Sequence, residues 1–78
     1  MSEEKADNVV DCSGLYCPEP IFRTREEINK LSSGQVLKII ADDPAFLEDI
    51  KRWAKNTGNE LLEVHKEGYE IVALVKKK

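Results

Sequence analysis

Residues 35–44 have the sequence QVLKIIADDP, which carries the strongest strand pattern of the chain. Its first seven residues are rich in aliphatic and β-branched side chains, which predicts a buried strand over 35–41. Asp42-Asp43-Pro44 follows at once, and an aspartate before a proline is typical of the start of a helix. We therefore expect a strand that runs directly into an aspartate-capped second helix.

Strand and helix patterns alternate on both sides of this stretch. Apolar residues at helical spacing predict two helices, and β-branched segments with glycine turns predict the strands. The predicted ranges are a strand over 8–12, a helix over 18–31 with its cap at Gly34, a strand over 35–41, a helix over 44–56 stopped at Thr57-Gly58, and strands over 60–66 and 69–76 joined by a turn at Glu67-Gly68. We predict an α/β (α+β) two-layer sandwich of βαβαββ order, with two helices on one face of a four-stranded mixed sheet.

Strand alternation divides the side chains of the sheet between two faces. The face beneath the helices is expected to carry Leu37, Ile39, Leu62, Val64, Ile71, Ala73 and Val75. The other face is expected to carry Val36, Ile40, Leu61, Val72 and Leu74 among Lys38, Glu63, His65 and Glu70. Its apolar residues are either scattered, which is ordinary, or joined in one patch that would bind a partner, and both interpretations stay open.

Length and composition limit the function. Seventy-eight residues make one domain, predicted over 8–76 after a flexible segment 1–7. The net charge of −3 argues against direct nucleic-acid binding, and no apolar run is long enough to cross a membrane. The first residues are polar and lack the apolar core of a signal peptide, so we expect a cytoplasmic protein with two reduced cysteines.

The candidate reactive group lies in residues 14–20, GLYCPEP. We expect Cys17 to cap the first helix with Pro18 at the first helical position, because a residue before proline adopts extended backbone. A helix N-terminus lowers the pKa of a thiol, but Pro18 and Pro20 remove two backbone donors. The Glu19 N–H is then the main donor available to the sulfur. This predicts a sulfur that is oriented and partly activated.

The predicted topology brings a second turn close to this cysteine. If the first two strands pair in parallel, both helix N-termini lie at one edge of the sheet. Cys17 and the Asp42-Asp43-Pro44 turn would then lie on the same side of the molecule. The carboxylates of Glu19, Asp42 and Asp43 would oppose ionisation of the thiol, so the net direction of its pKa shift stays open.

Spacing alone does not decide whether Cys17 is a reactive thiol or a small apolar residue that fills space in the core. The single histidine, His65, lies on a distant strand, so a Cys–His hydrolytic pair has little support. Cys12 and Cys17 could offer two metal ligands, but two thiols without a nearby histidine make a poor zinc site. We therefore expect no metal and no cofactor.

Residues 11–20 (DCSGLYCPEP) resemble the signature of the TusA/SirA/YedF-like sulfur-carrier family, and residues 40–45 (IADDPA) continue the resemblance. The two motifs at this separation are a specific combination, and the resemblance covers essentially the whole chain. It implies a two-layer βαβαββ sandwich, in agreement with the order predicted from the residues. It also implies a sulfurtransferase that carries sulfur as a persulfide and acts together with partner enzymes.

The resemblance further implies roles for individual residues. Cys17 would be the persulfide carrier, and Gly14 would allow a close turn in its loop. The remaining motif residues would shape the two helix caps, namely Pro18, Glu19 and Pro20 beside the cysteine and Asp42, Asp43 and Pro44 in the neighbouring cap. For Cys12, resolution of the persulfide and simple packing at the strand end both stay open.

The implied partners are proteins. A cysteine desulfurase or a rhodanese-like donor would supply the sulfur, and an acceptor protein would pass it on to tRNA thiolation, molybdenum cofactor maturation or sulfur metabolism. Two alternatives stay open beside the carrier. One is a thiol redox protein that cycles Cys12 and Cys17, and the other is a non-catalytic regulatory interaction module.

Overall fold

The structure is a computed structural model that describes residues 6–78. Its six elements are β1 (Asn8–Cys12), α1 (Glu19–Asn29), β2 (Val36–Ala41), α2 (Phe46–Thr57), β3 (Glu60–Glu67) and β4 (Glu70–Lys76). Of the predicted flexible segment 1–7, residues 1–5 lie outside the described residues. Asp7 lies within them, and it exchanges two hydrogen bonds with Val36 at the start of β2.

The four strands form one mixed sheet with the spatial order β1-β2-β4-β3. β1 pairs with β2 in parallel, whereas β4 pairs with both β2 and β3 in the antiparallel sense. Helix α1 packs on β1 and β2, and α2 packs on β3 and β4. The predicted βαβαββ order and the mixed four-stranded sheet are confirmed.

The core lies between one face of the sheet and both helices. Alternate positions of the central strands point into it, because successive side chains of a strand point to opposite faces. α1 contributes its buried Ile28, and α2 contributes four buried residues. The largest fully buried apolar side chains are Leu37, Ile39, Phe46, Ile50, Ile71 and Val75. The predicted placement of both helices on one face agrees with this arrangement.

Two turns differ from their predicted positions. Helix α1 ends at Asn29, so Gly34 does not cap it; Gly34 lies in the turn before β2 with a φ of 89° and donates its N–H to the Lys77 carbonyl. The hairpin turn holds Gly68 and Tyr69 rather than Glu67 and Gly68. The reason is that Glu67 still pairs with Glu70 as the last residue pair of the hairpin.

A β-bulge in β3 reverses part of the predicted alternation. The register shifts between Leu61 and Glu63, so that Leu61 opposes Val75 and Val64 opposes Ala73. Both Leu61 and Val64 pack against the core, whereas Leu62 is exposed. The assignment of Leu62 to the core face and of Leu61 to the open face is therefore wrong, because a bulge adds one unpaired residue to the strand.

The other face of the sheet is left uncovered by the helices. Its central side chains are protected by their neighbours on the sheet: Leu74, 2% exposed, lies between Lys38 and Glu63 on the flanking strands. The large apolar residues that are exposed, Val9 on β1 and Leu62 on β3, stand on the two outer strands. This separation favours the interpretation of scattered apolar residues.

Neither of the two helices within residues 6–78 has the length and the apolar character needed to span a membrane.

Candidate functional site

Cys17 stands in an exposed loop, residues 13–18, that joins β1 to α1. The loop begins with a tight turn, in which the Leu15 N–H donates to the Cys12 carbonyl at 3.1 Å. Gly14 has a φ of 83° in that turn, a conformation that residues with a Cβ rarely adopt. This is the close turn for which a glycine was expected.

Helix α1 begins later than predicted, so the prediction that Cys17 caps it is wrong. The N-cap is Pro18, and Pro20 lies within the first turn. The Glu19 N–H was expected to serve the sulfur, but it donates to the Tyr16 carbonyl at 2.8 Å and closes a turn of the backbone there. The Cys17–Pro18 peptide bond is cis. Cys17 thus lies one residue before the N-cap and two residues before the first residue of the helix.

Two carboxylates from the loop between β2 and α2 hold the backbone of the Cys17 loop. The Cys17 N–H donates to Asp43 Oδ2 at 2.7 Å, and the Gly14 N–H donates to Asp42 Oδ1 at 3.0 Å and to Oδ2 at 3.2 Å. Asp43 is only 8% exposed, so its charge-assisted hydrogen bond is shielded from water. The structure therefore brings Cys17 and the acidic turn together at one edge of the sheet.

The same turn does not cap α2 as predicted. The helix begins at Phe46, and its N-cap is Ala45, which has no polar side chain. Asp43 Oδ1 accepts the Ala45 N–H at 3.2 Å, and the Asp43 carbonyl accepts the Phe46 N–H at 2.9 Å, while Pro44 is exposed within the turn. Asp43 therefore shapes the turn ahead of the helix, because its other carboxylate oxygen is committed to Cys17.

A groove of about 270 Å³ opens beside Cys17, between the start of α1 and one side of α2. Asp49 is a half-buried residue of this groove, with a side chain 16% exposed. Its carboxylate forms an ion pair with Arg52, at 3.1 Å between Oδ1 and a guanidinium nitrogen, and it lines the same groove as Cys17. The lining residues are Cys17, Pro18, Ile21, Asp49, Arg52, Trp53 and Asn56.

These neighbours raise the pKa of the Cys17 thiol above its ordinary value. The largest cause is the hydrogen bond to the Asp49 carboxylate, followed by desolvation and by the negative charges of Asp49 and Asp43. The positive charge of Arg52 acts in the opposite direction. These neighbours therefore disfavour the thiolate of Cys17, which corrects the expectation of a partly activated sulfur.

Sequence reasoning missed the α2 side of the groove. Arg52 and Trp53 lie three and four residues after Asp49, and Asn56 lies four and three residues after them, so the four residues share one side of α2. The sequence alone could have shown that these charged, aromatic and amide side chains lie together, next to the apolar side of the helix. Only the packing of α2 against α1 shows that it borders the cysteine.

Cys12 lies at the end of β1 and is fully buried. Its Sγ stands 4.0 Å from the Pro20 carbonyl oxygen, and burial raises the pKa of its thiol. Both effects disfavour a reactive thiolate, so this placement favours the packing role for Cys12. Within residues 6–78, no group of three or more potential ligands is arranged to hold a metal ion.

Removal of the Asp43 carboxylate is expected to destabilise the protein and to loosen the Cys17 loop. In Asp43→Ala, the Cys17 and Ala45 N–H groups lose their acceptor, which should lower the free energy of unfolding by about 1–3 kcal/mol. Urea unfolding measures this loss, and hydrogen exchange at the Cys17 amide should become faster. Asp42→Ala is the matched control, since it frees only the exposed Gly14 N–H. Equal effects of the two substitutions would contradict the assignment of Asp43 as the main anchor.

Most of the chain matches one known protein family. The family model described as "Sulfurtransferase TusA" matches residues 8–77. A protein of Allochromatium vinosum named "Sulfur carrier protein TusA" is 49% identical over 71 residues, which cover 91% of this chain and 93% of that protein. A "Putative sulfur carrier protein" of Aquifex aeolicus is 48% identical over 77 residues, and these cover 99% of this chain but only 39% of that longer protein.

A solved structure supports the fold independently. The crystal structure of the SirA-like protein from Desulfitobacterium hafniense superposes with a TM-score of 0.78 and covers 88% of this chain and 95% of that chain. The sequence identity is 21%, so this similarity concerns the architecture alone. It agrees with the two helices and the mixed sheet described above.

Proposed function

This chain belongs to the TusA family of sulfurtransferases, and from that premise we propose that it carries sulfur as a persulfide on Cys17. The observation that carries the proposal is the contrast between the two cysteines. Cys17 is exposed in a loop whose backbone is anchored by Asp42 and Asp43, whereas Cys12 is fully buried. Of the two cysteine sulfurs, only that of Cys17 is accessible to another protein.

The chemistry of a carrier needs little beyond this one accessible sulfur. Sulfur moves between thiols when a sulfur nucleophile attacks the terminal sulfur of a persulfide, so one S–S bond forms as another breaks. No oxidant is consumed in this exchange. The raised pKa of Cys17 means that its thiol has to give up a proton when the sulfur attacks.

A carrier of this kind interacts with a sulfur donor protein and a sulfur acceptor protein. As the donor we propose a cysteine desulfurase or a rhodanese-like protein, because both present sulfur as a persulfide on a cysteine. The acceptor would act in a pathway such as tRNA thiolation, molybdenum cofactor maturation or sulfur metabolism. We place the exchange in the cytoplasm, where a reducing environment keeps free thiols such as Cys12 and Cys17 reduced.

The proposal predicts direct loading of the purified wild-type protein. After incubation with a cysteine desulfurase and free cysteine, the intact mass should increase by one sulfur atom, and a thiol reductant should remove that increase. Peptide mass spectrometry should place the added sulfur on Cys17. A rhodanese supplied with thiosulfate is the second donor to test. If neither donor loads the folded protein, the proposed function is wrong.

A further inference from the structure

The ion pair of Asp49 and Arg52 stands at the rim of the groove beside Cys17. Helix α2 carries a second pair with the same spacing, Glu48 with Lys51, but neither of those residues lines the groove. Asp49 differs from an ordinary surface carboxylate because it is half-buried, paired with Arg52 and placed in the same groove as Cys17. Helix α2 thus places one negative and one positive side chain in the groove beside the Cys17 sulfur.

The other surroundings of the sulfur carry few charges. From α1, the groove is lined by Pro18 and Ile21, which are uncharged. From the loop before α2, Asp43 adds a negative charge, but its carboxylate is occupied by two backbone N–H groups. Among the described residues, the side-chain charges that line the groove and can respond to a change at Cys17 are therefore those of Asp49 and Arg52.

We propose that Asp49 and Arg52 act on the Cys17 sulfur in turn as sulfur is loaded: Asp49 accepts the thiol proton of Cys17 in the unloaded protein, and Arg52 pairs with the persulfide anion in the loaded protein. This inference rests on the proposed persulfide function of Cys17. Arg52 can change partner easily, because its side chain is 66% exposed and only one of its five N–H donors is needed for Asp49.

The exchange is balanced in atoms and charge. Cys17 gives its thiol proton to the Asp49 carboxylate, and its sulfur attacks the terminal sulfur of the donor's cysteine persulfide. The new S–S bond forms on Cys17 as the donor's S–S bond breaks, and the donor's inner sulfur leaves as a thiolate that takes up the proton held by Asp49. The persulfide on Cys17 is a stronger acid than the thiol, so it releases its proton to water and becomes an anion. Asp49 repels this anion and Arg52 attracts it.

The test measures the charge state of Cys17 without any sulfur donor. The rate of alkylation of Cys17 by iodoacetamide is followed against pH, with peptide mass spectrometry to separate Cys17 from Cys12. In Asp49→Asn the midpoint of the profile should move to lower pH, with several-fold faster alkylation at pH 7, because the acceptor of the thiol proton and a negative charge are both lost. In Arg52→Gln the midpoint should move to higher pH, because the attracting charge is lost.

The matched controls are Glu48→Gln and Lys51→Gln, which break the neighbouring pair on the same helix. Their profiles should follow the wild type, and a shift equal to that of Asp49→Asn would overturn the proposal as a general charge effect.

After loading, persulfide on Arg52→Gln should be lost to a thiol acceptor several-fold faster than persulfide on the wild type. Equal rates would overturn the role of Arg52. A wild type that takes up no sulfur refutes the carrier function itself, and the alkylation profiles then still decide the role of Asp49 toward the thiol.

Discussion

Cys17→Ser is expected to take up no sulfur under conditions in which the wild type is loaded. A serine hydroxyl cannot form a persulfide, and Cys12 cannot replace the missing thiol because it is fully buried and its pKa is raised by burial. The measurement is intact-mass spectrometry after incubation with a persulfide donor, with the protein handled without reductant. The expected effect is complete loss of the added sulfur.

Cys12→Ala provides the comparison, since it removes the buried thiol and leaves the exposed one in place. We expect this variant to load as fully as the wild type. Sulfur found on folded Cys17→Ser would contradict the assignment of Cys17. Failure of folded Cys12→Ala to load would show instead that Cys12 takes part, as the redox alternative requires.

Phe46→Ala is expected to cause the largest loss of stability. Phe46 is 1% exposed and belongs to the core between α2 and the sheet, so its truncation removes apolar burial and leaves a cavity. Such a change costs about 3–5 kcal/mol, against a total stability of about 4–12 kcal/mol for a domain of this length. The free energy of unfolding from urea denaturation measures the loss.

The second phenylalanine of the chain supplies the control. Phe22 lies on α1 with 49% of its surface exposed, and its ring is covered by the Arg25 guanidinium at 5.7 Å. Phe22→Ala should therefore cost no more than about 1 kcal/mol. A comparable loss in the two variants would mean that Phe46 does not stand in a closed core.

Most of the fold could be predicted from local pattern. The five residues of β1, the run of aliphatic residues in β2 and the stop of α2 at Gly58 all follow from side-chain types and from glycine conformation. The bulge at Leu62 could not be predicted, because strict alternation is the default and nothing in the sequence of β3 marks an extra residue. One unpredicted residue was enough to exchange the faces of Leu61 and Leu62.

The site shows a different limit. The sequence indicates that Cys17 is the candidate reactive residue and that an acidic turn lies near it. Helix-cap rules, however, predict that each of these residues bonds to the backbone of the helix that follows it. In the structure, Asp42 and Asp43 bond instead to the loop that precedes the other helix. The pKa of Cys17 depends chiefly on Asp49, which lies 32 positions along the chain. Such contacts depend on how α1 and α2 pack together, which local patterns do not specify.

The hydrogen bonds that anchor the Cys17 loop can form only at a late stage of folding. The Cys17 and Gly14 amides find their acceptors 26 and 28 positions later, across the connection that makes β1 and β2 parallel. Contacts between such distant positions form only after the intervening chain has closed its loop. A nascent or partly unfolded chain therefore has the cysteine but not the geometry around it. The arrangement around Cys17 is therefore a property of the folded molecule, and a donor protein that bound this loop would not bind an immature chain in the same way.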